Sequence, residues 1–351
     1  MKICILYKEK KGPWGGGNQF LKALRKEFER EKYYEPDPFN ADAVIFNSFD
    51  FLDKKILNKI VQLKKKGKIL IHRVDGPIST YRGKDFYLDK LIFKFNNLFA
   101  DGTVFQSEWS RNKNYELGLK KNKFETVMHN ASDPDIFNKK GKIKFSKNRK
   151  TKLIATSWSS NCNKGFEIYK WLDNNLDFTK YEMTFVGRTP VEFKNIKHIH
   201  PVDSKKLAKI LKKHDIFITA SRNDSCSNSL IETMSCGLPA IALNSGGNPE
   251  LVKNKKNLFN TKEELMKKIK QITGNYPQYK TQILAFSLNK TTNQYYNFCL
   301  KIFTKQKQKE NSIWFIQINL IFLLIVYIPL KKIIIQFRKF VNSMFKNTQK
   351  I

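Results

Sequence analysis

The sequence predicts an α/β protein with two Rossmann-like, doubly wound parallel sheets, and three observations predict it. Short apolar runs alternate with amphipathic stretches of helical spacing from the first residues onward. The same rhythm starts again near residue 150. Between the two lies Asp133–Lys152, a polar, basic stretch rich in Asn and Lys that reads as a linker. Alternating β and α elements of these lengths wind into parallel sheets with helices on their faces. The 351 residues suffice for two full cores. The expected organisation is a first domain over 1–140, a second over 150–300, and a separate tail over 311–351. Ligands of such sheets bind outside the carboxyl ends of the strands, so the expected site is a cleft between the halves.

The elements follow in chain order. Ile3–Tyr7 is an unbroken apolar run and reads as a buried strand. Phe20, Leu21, Leu24 and Phe28 recur at helical spacing, so Phe20–Phe28 reads as a helix. Ala43–Phe46, Ile69–Ile71 and Thr103–Phe105 read as further strands, with helices over Phe51–Leu63 and Phe86–Phe99. In the second half, strands are expected at Leu153–Thr156, Met183–Val186, Ile216–Thr219 and Ala240–Leu243. Helices are expected at Gly165–Leu172, Lys205–Lys212 and Asn228–Ser235.

Composition narrows the function classes. Hydrophobic residues make up 41% of the chain, which argues against a disordered protein. The net charge of +34 is spread over both halves and favours anionic partners, an acidic membrane surface among them. Nucleic acid is disfavoured as a partner: there is no zinc-finger spacing, no aromatic-basic stacking signature and no basic-region heptad. The five cysteines form no Cys-x-x-Cys pair, which predicts free thiols and neither a disulfide frame nor a zinc site. Met1-Lys2 leads straight into the first strand, so no signal peptide is expected.

The densest chemistry lies in Asn223-Asp224-Ser225-Cys226-Ser227-Asn228-Ser229-Leu230-Ile231-Glu232, followed by Ser245-Gly246-Gly247-Asn248-Pro249-Glu250. Small polar residues open a helix here. Its free backbone N–H groups and positive dipole end suit an anion such as a diphosphate. Asp224 and Glu232 stand eight positions apart across that turn. Glu232 falls about one turn into the helix, within reach of sugar hydroxyls. The combination suits a nucleotide sugar.

With these residues and two Rossmann-like halves, the chain resembles the retaining nucleotide-sugar glycosyltransferases of the group 1 type (family 4, GT-B fold) over roughly residues 1–300. Leu230–Pro239 and Asn244–Val252 carry the resemblance, through the paired-carboxylate helix and the Gly-Gly-x-Pro-Glu segment. The first carboxylate of the pair, usually Glu, is Asp224 here, one methylene shorter. The resemblance implies that a sugar passes from a nucleoside diphosphate to an acceptor hydroxyl with anomeric retention, without metal or further cofactor. It places Gly16 and Gly17, in Gly15-Gly16-Gly17-Asn18-Gln19, facing the donor phosphates and the acceptor. It puts His72 near the reacting sugar and Lys164, before Gly165, on the diphosphate. The Arg that usually precedes this Lys is missing; Ser157, Trp158, Ser159, Ser160 and Asn161 stand there, and Arg188 is the candidate substitute. Ser227, Asn228 and Ser229 would give N–H groups to the phosphates, Asp224 would hold sugar hydroxyls and Glu232 the ribose. His129-Asn130-Ala131-Ser132-Asp133 resembles a structural element that closes the first domain. Two other readings stay open. One is a nucleotide-sugar epimerase of the same fold, against which the Lys164-Gly165 and Asp224–Glu232 pattern speaks. The other is an inactive scaffold that binds anionic surfaces.

The tail departs from this rhythm. Asn311–Leu330 carries no charge, and Ile313–Leu330 would reach about 27 Å as a helix, enough to cross a bilayer core. A basic amphipathic segment, 331–340, follows. A span, an interfacial anchor and a helix packed on the protein all remain open. The expected location is the cytoplasmic face of a membrane, with a glycan or lipid-linked acceptor in cell-surface polysaccharide or glycolipid synthesis.

Overall fold

The four apolar runs of the first half become parallel strands with largely buried side chains, as crossover helices require, and a short, partly exposed fifth strand joins them at one edge. The structure, a computed structural model, describes residues 1–306 apart from 11, 13–14, 49–52, 84, 253, 282 and 284–285. The uncharged run 313–330 and the basic segment after it lie outside the described residues. Among the described residues no helix is long and apolar enough to cross a membrane.

The first sheet comprises β1 (Ile3–Leu6), β2 (Ala43–Asn47), β3 (Ile69–Val74), β4 (Gly102–Phe105) and β5 (Glu125–Val127), in that spatial order. Its helices are α1 (Gly16–Arg30), α2 (Lys54–Lys65), α3 (Ile78–Arg82), α4 (Phe86–Phe99) and α5 (Glu108–Glu116). The winding reverses at β1. After α1 the chain returns along one side of β1, where Ile3 N donates to Tyr33 O at 2.8 Å and Glu35 N to Ile3 O at 3.0 Å. It then crosses to the other side as β2. Helices therefore cover both faces. Phe20, Leu24 and Phe28 of α1 pack on Ile3, Ile5, Ile45 and Ile71. On the opposite face Phe95 of α4 meets Phe46 and His72 edge-on.

The second sheet comprises β6 (Thr151–Ser157), β7 (Tyr181–Gly187), β8 (Lys197–Ile199), β9 (Ile216–Thr219), β10 (Ala240–Leu243) and β11 (Leu258–Phe259). Their order is β11-β10-β9-β6-β7-β8, all parallel, so winding reverses between β6 and β9. The helices are α6 (Phe166–Asn175), α7 (Ser204–Leu211), α8 (Asn228–Ser235), α9 (Asn248–Val252), α10 (Lys262–Gly274) and α11 (Tyr276–Thr281). Alternate strand residues divide the core. Leu153, Phe185 and Ile218 pack with α6, α10 and α11, while Ile154, Phe217 and Ala242 pack with α7, α8 and α9. Five cysteines are unpaired, four of them buried.

The last helix among the described residues, α12 (Leu288–Gln306), follows the second sheet in sequence but packs on the first. Tyr295, Phe298, Cys299 and Ile302 join the cluster of Ile3, Ile69 and Val104. This return ties the end of the second half to the beginning of the first. Ile302 is fully buried and Leu300 is 36% exposed on the same helix. Truncating a buried aliphatic side chain removes both transfer energy and packing. Ile302→Ala is expected to cost about 2–5 kcal/mol in urea unfolding, and Leu300→Ala less than about 1 kcal/mol.

Candidate active site

The strand carboxyl ends beside both reversal points open onto one cleft of about 610 Å³. Gly15–Gly17, Asp75 and Tyr81 line it from the first sheet, and Lys164, Asp224 and Glu232 from the second. The placement follows from topology, because chain segments diverge at a reversal point and leave a crevice.

Two connections shape the second-sheet wall. Beyond β6 the chain passes through a short 3₁₀ turn, Cys162–Lys164, into α6. Gly165 ends that turn at φ +74°, and a Cβ there would lie 2.3 Å from the Ala220 carbonyl oxygen, so only glycine fits. That contact sets Lys164 against the end of β9. Its Nζ donates to Asp224 Oδ2 at 2.8 Å and to Ser221 Oγ at 3.2 Å, and lies 5.4 Å from the centre of the Tyr81 ring. Asp224 Oδ1 also accepts from Cys226 N at 3.3 Å. Burial works against both charges, but each offsets it for the other. Lys164 is held above its ordinary pKa by Asp224 and Tyr81, and Asp224 below its own by Lys164.

From this pair the chain turns into α8. Ser227 occupies the N-cap without a side-chain cap, its Oγ instead 3.1 Å from Ser229 Oγ. The Asn228 and Ser229 amides, in the first turn, have no acceptor among the described residues. One turn on, Glu232 is partly exposed to the cleft, its carboxyl without a partner among the described residues. Burial alone pushes its pKa up to about 8. The wall thus offers a lysine, an uncapped helix start and an uncompensated carboxyl in succession.

The halves meet at a tight seam. A Cβ on Gly16 would lie 2.3 Å from Asn228 Cβ, so the start of α1 abuts the start of α8. Gly17 has open space before it. Asn130 Nδ2 donates to Asn228 Oδ1 at 3.1 Å, and Gly76 N to Ser225 Oγ at 3.2 Å. The Glu250 carboxylate accepts from Glu108 N and Trp109 N, each at 2.8 Å, and lies 3.2 Å from His129 Nε2. A carboxylate of the second half thereby closes the N-terminus of α5 in the first. These hydrogen bonds hold the Glu250 pKa below its ordinary value against the effect of burial.

Gly16, Gly17, Lys164, Asp224, Ser227, Asn228, Ser229 and Glu232 all come together in the cleft lining. Two expected residues do not. His72 lies inside β3, because the strand runs on to Val74 instead of ending at Ile71. Its ring is fully buried, stacked 4.6 Å from Phe46, with Ser48 Oγ at 3.1 Å and Asn96 Oδ1 at 3.0 Å. Burial pushes its pKa down to about 3, so it is a neutral core residue and does not face a sugar. Arg188 is exposed beside the cleft, its guanidinium 4.6 Å from the Trp158 ring centre. Sequence reasoning passed over Asp75, Tyr81 and the seam role of Glu250. Asp75 follows β3 directly, so the strand-end rule would have pointed to it had the strand been given its full length. Tyr81 carries no comparable sequence signal; Glu250 stands in the Gly-Gly-x-Pro-Glu segment, but its seam role shows only through its contact with the other half.

Residues 193–285, which run from before β8 through α11, match the family model for glycosyl transferases group 1, and the matched stretch includes Asp224, Glu232 and Glu250. A curated relative, uncharacterized protein 356 of Sulfolobus islandicus rod-shaped virus 1, is 27% identical over 173 residues. The match covers 45% of this chain and about half, 48%, of that relative's length. Among solved structures, Anabaena HepE in complex with UDP-glucose is similar with TM-score 0.60 and 14% identity, over 88% of this chain and 100% of that one. Sucrose-phosphate synthase from Thermosynechococcus elongatus is similar with TM-score 0.55 and 12% identity, over 84% and 78%. The catalytic domain of starch synthase IV from Arabidopsis thaliana, bound to ADP and acarbose, is similar with TM-score 0.58 and 11% identity, over 83% and 79%. At these identities the likeness shows the fold, two parallel α/β sheets arranged as in GT-B glycosyltransferases.

Glu232 makes stability depend on pH. Its folded pKa, about 8, exceeds the ordinary value of 4.5, so the folded state keeps a proton that the unfolded chain releases. Stability contributed by the protonated form is complete below pH 4.5 and is lost as pH rises through 8. Glu232→Gln, which cannot ionise, is expected to melt close to wild type at pH 5 and at least about 2 °C higher at pH 8.5. An identical difference at both pH values would contradict this environment for Glu232.

Proposed function

We propose that the protein is a retaining glycosyltransferase that moves a sugar from a nucleoside diphosphate to an acceptor hydroxyl. The observation that carries this reading is the convergence of Lys164, the uncapped start of α8 and Glu232 on one cleft wall, two of the three inside the group 1 region. UDP-glucose and ADP accompany the similar HepE and starch synthase structures, and this reading extends nucleotide-sugar binding to the present chain.

The chemistry needs a departing diphosphate stabilised while positive character builds at the anomeric carbon. Electrostatic stabilisation by preorganised donors is the efficient means. The Asn228 and Ser229 amides and the positive end of α8 face one side of the phosphates. Lys164 supplies the cation. It rests on Asp224, and a diphosphate arriving there offers it a more highly charged partner. The exchange releases Asp224 Oδ2 for a sugar hydroxyl, which suits a carboxylate one methylene shorter than the usual Glu. Glu232 receives the ribose hydroxyls, and Gly17 leaves room at the start of α1. Arg188, drawn off Trp158, provides the second cation that the segment before Lys164 lacks. The lysine-rich surface and the acceptor side of the cleft suit a glycan or lipid-linked acceptor at the cytoplasmic face of an anionic membrane, in surface polysaccharide or glycolipid synthesis.

A thermal-shift screen of the full chain against UDP-, GDP-, ADP- and CMP-sugars tests the reading. One donor class is expected to raise the melting temperature, and Glu232→Ala is expected to weaken its binding by about 10-fold or more. No shift with any donor would contradict the proposal. Hydroxyl donors favour the ionised form of Glu232, so binding should release its proton. Donor affinity is then expected to rise with pH, by up to about tenfold per unit below 8, and to level off above it. Calorimetry in buffers of different ionisation enthalpy counts the proton.

A further inference from the structure

Among the described residues three carboxylates line the cleft: Asp75, Asp224 and Glu232. Asp224 is engaged by Lys164 and Ser221, and Glu232 projects from α8 on the donor side. Among the described residues, only Asp75 belongs to the first-sheet wall. Its surroundings fix its orientation. Oδ1 accepts from Arg73 Nη1 at 3.3 Å and from Gln106 Nε2. Its backbone oxygen accepts from Asn114 Nδ2 at 3.1 Å. Among the described residues Oδ2 has only Asn47 Nδ2, at 3.5 Å, beyond good hydrogen-bonding distance. The side chain is 29% exposed.

Arg73 is itself anchored. It has no exposed surface, and its guanidinium donates to Asn47 Oδ1 at 2.8 Å and Asn130 Oδ1 at 2.7 Å and lies 5.1 Å from the Phe20 ring centre. Asn130 continues to Asn228 at the start of α8. One residue beyond Asp75, Gly76 N meets Ser225 Oγ, next to Asp224. One oxygen of Asp75 is therefore pinned by a buried cation. The other is offered to the cleft, on the wall opposite Lys164 and Glu232, near the turn that carries Asp224.

We infer that Asp75 is the acceptor-anchoring residue, its Oδ2 accepting a hydrogen bond from a hydroxyl neighbouring the one that reacts. The acceptor class is then a polyol or sugar with adjacent hydroxyls, and a simple alcohol is a poor substitute. Arg73 acts through Asp75 as a positioning residue, holding the carboxylate in register with α8. This inference rests on the glycosyltransferase reading, and its test separates the two.

The experiment uses the full chain, the donor that shifts its melting temperature, and three kinds of acceptor probe: glycerol, the methyl glycosides of glucose, galactose and mannose, and 1-propanol. The readout is the ratio of transfer to donor hydrolysis, with donor affinity measured in parallel. Wild type is expected to prefer glycerol and the glycosides over 1-propanol. Asp75→Asn is expected to reduce the transfer-to-hydrolysis ratio about 10- to 100-fold, as loss of one hydrogen bond to a charged group does, and to raise the acceptor KM. Its donor affinity should stay within about twofold of wild type, since that binding energy comes from the other wall. Asp75→Glu, which restores the carboxylate, should recover part of the ratio, and Asp75→Ser serves as a second truncation if Asp75→Asn melts early. An unchanged ratio in Asp75→Asn overturns the inference. So does a wild type that hydrolyses donor but transfers to none of the polyols. A wild type that binds no donor overturns the glycosyltransferase reading itself.

Discussion

The candidate site depends on the close approach of two helix starts across a seam between two sheets. Backbone meets side chain at Gly16 and Asn228 with no room for a Cβ on the first. The Glu250 carboxylate secures the seam by satisfying two amides at the start of α5. Hydrogen bonds to charged groups contribute about 1.5–3 kcal/mol each when they replace water successfully. Without that closure, Lys164 and Glu232 would face open solvent, and Asp75 would have no opposite wall. The return of α12 to the first sheet adds apolar burial that links the same halves from behind.

Charge is distributed across the cleft in a way that leaves work for a ligand. Lys164 and Asp224 neutralise each other in a partly buried pair. Burying such a pair contributes little net stability, because desolvation offsets much of the attraction. Glu232 is left uncompensated, which costs stability above its pKa. The α8 amides are likewise unmet among the described residues. A nucleoside diphosphate sugar supplies what each lacks: anionic oxygens for the lysine and the amides, and hydroxyls for the carboxylates. Under the proposed function, one ligand class completes all of these groups.

Much of the second half was legible in the sequence. Ile216–Thr219, Asn228–Ser235 and Ala240–Leu243 appear with the expected bounds, because each is a strongly patterned run between turn residues. In the first half Phe86–Phe99 does too. The short edge strands β5, β8 and β11 escaped, since runs of two or three residues leave no alternation to detect. Helix α12 escaped because lysines and asparagines break up its apolar pattern, and its buried face is defined by the first sheet, far earlier in the chain. The paired-carboxylate motif pointed to the second-sheet wall of the cleft, where Asp224, Ser227–Ser229 and Glu232 are local in sequence. The acceptor wall was not legible, because Asp75 is defined by Arg73, Gln106 and Asn47, which come from separate strands and loops. The expectation for His72 failed for a related reason. Three more residues of strand carried the carboxyl end past it, and the imidazole turned into the core.

The most direct test of the central claim is a crystal structure of the full chain with an intact nucleoside diphosphate sugar, using the donor that stabilises it. The account predicts the diphosphate within hydrogen-bonding distance of Lys164 Nζ and the Asn228 and Ser229 amides, with the ribose hydroxyls on Glu232. A donor bound outside the cleft, or one whose ribose turns away from Glu232, would contradict it.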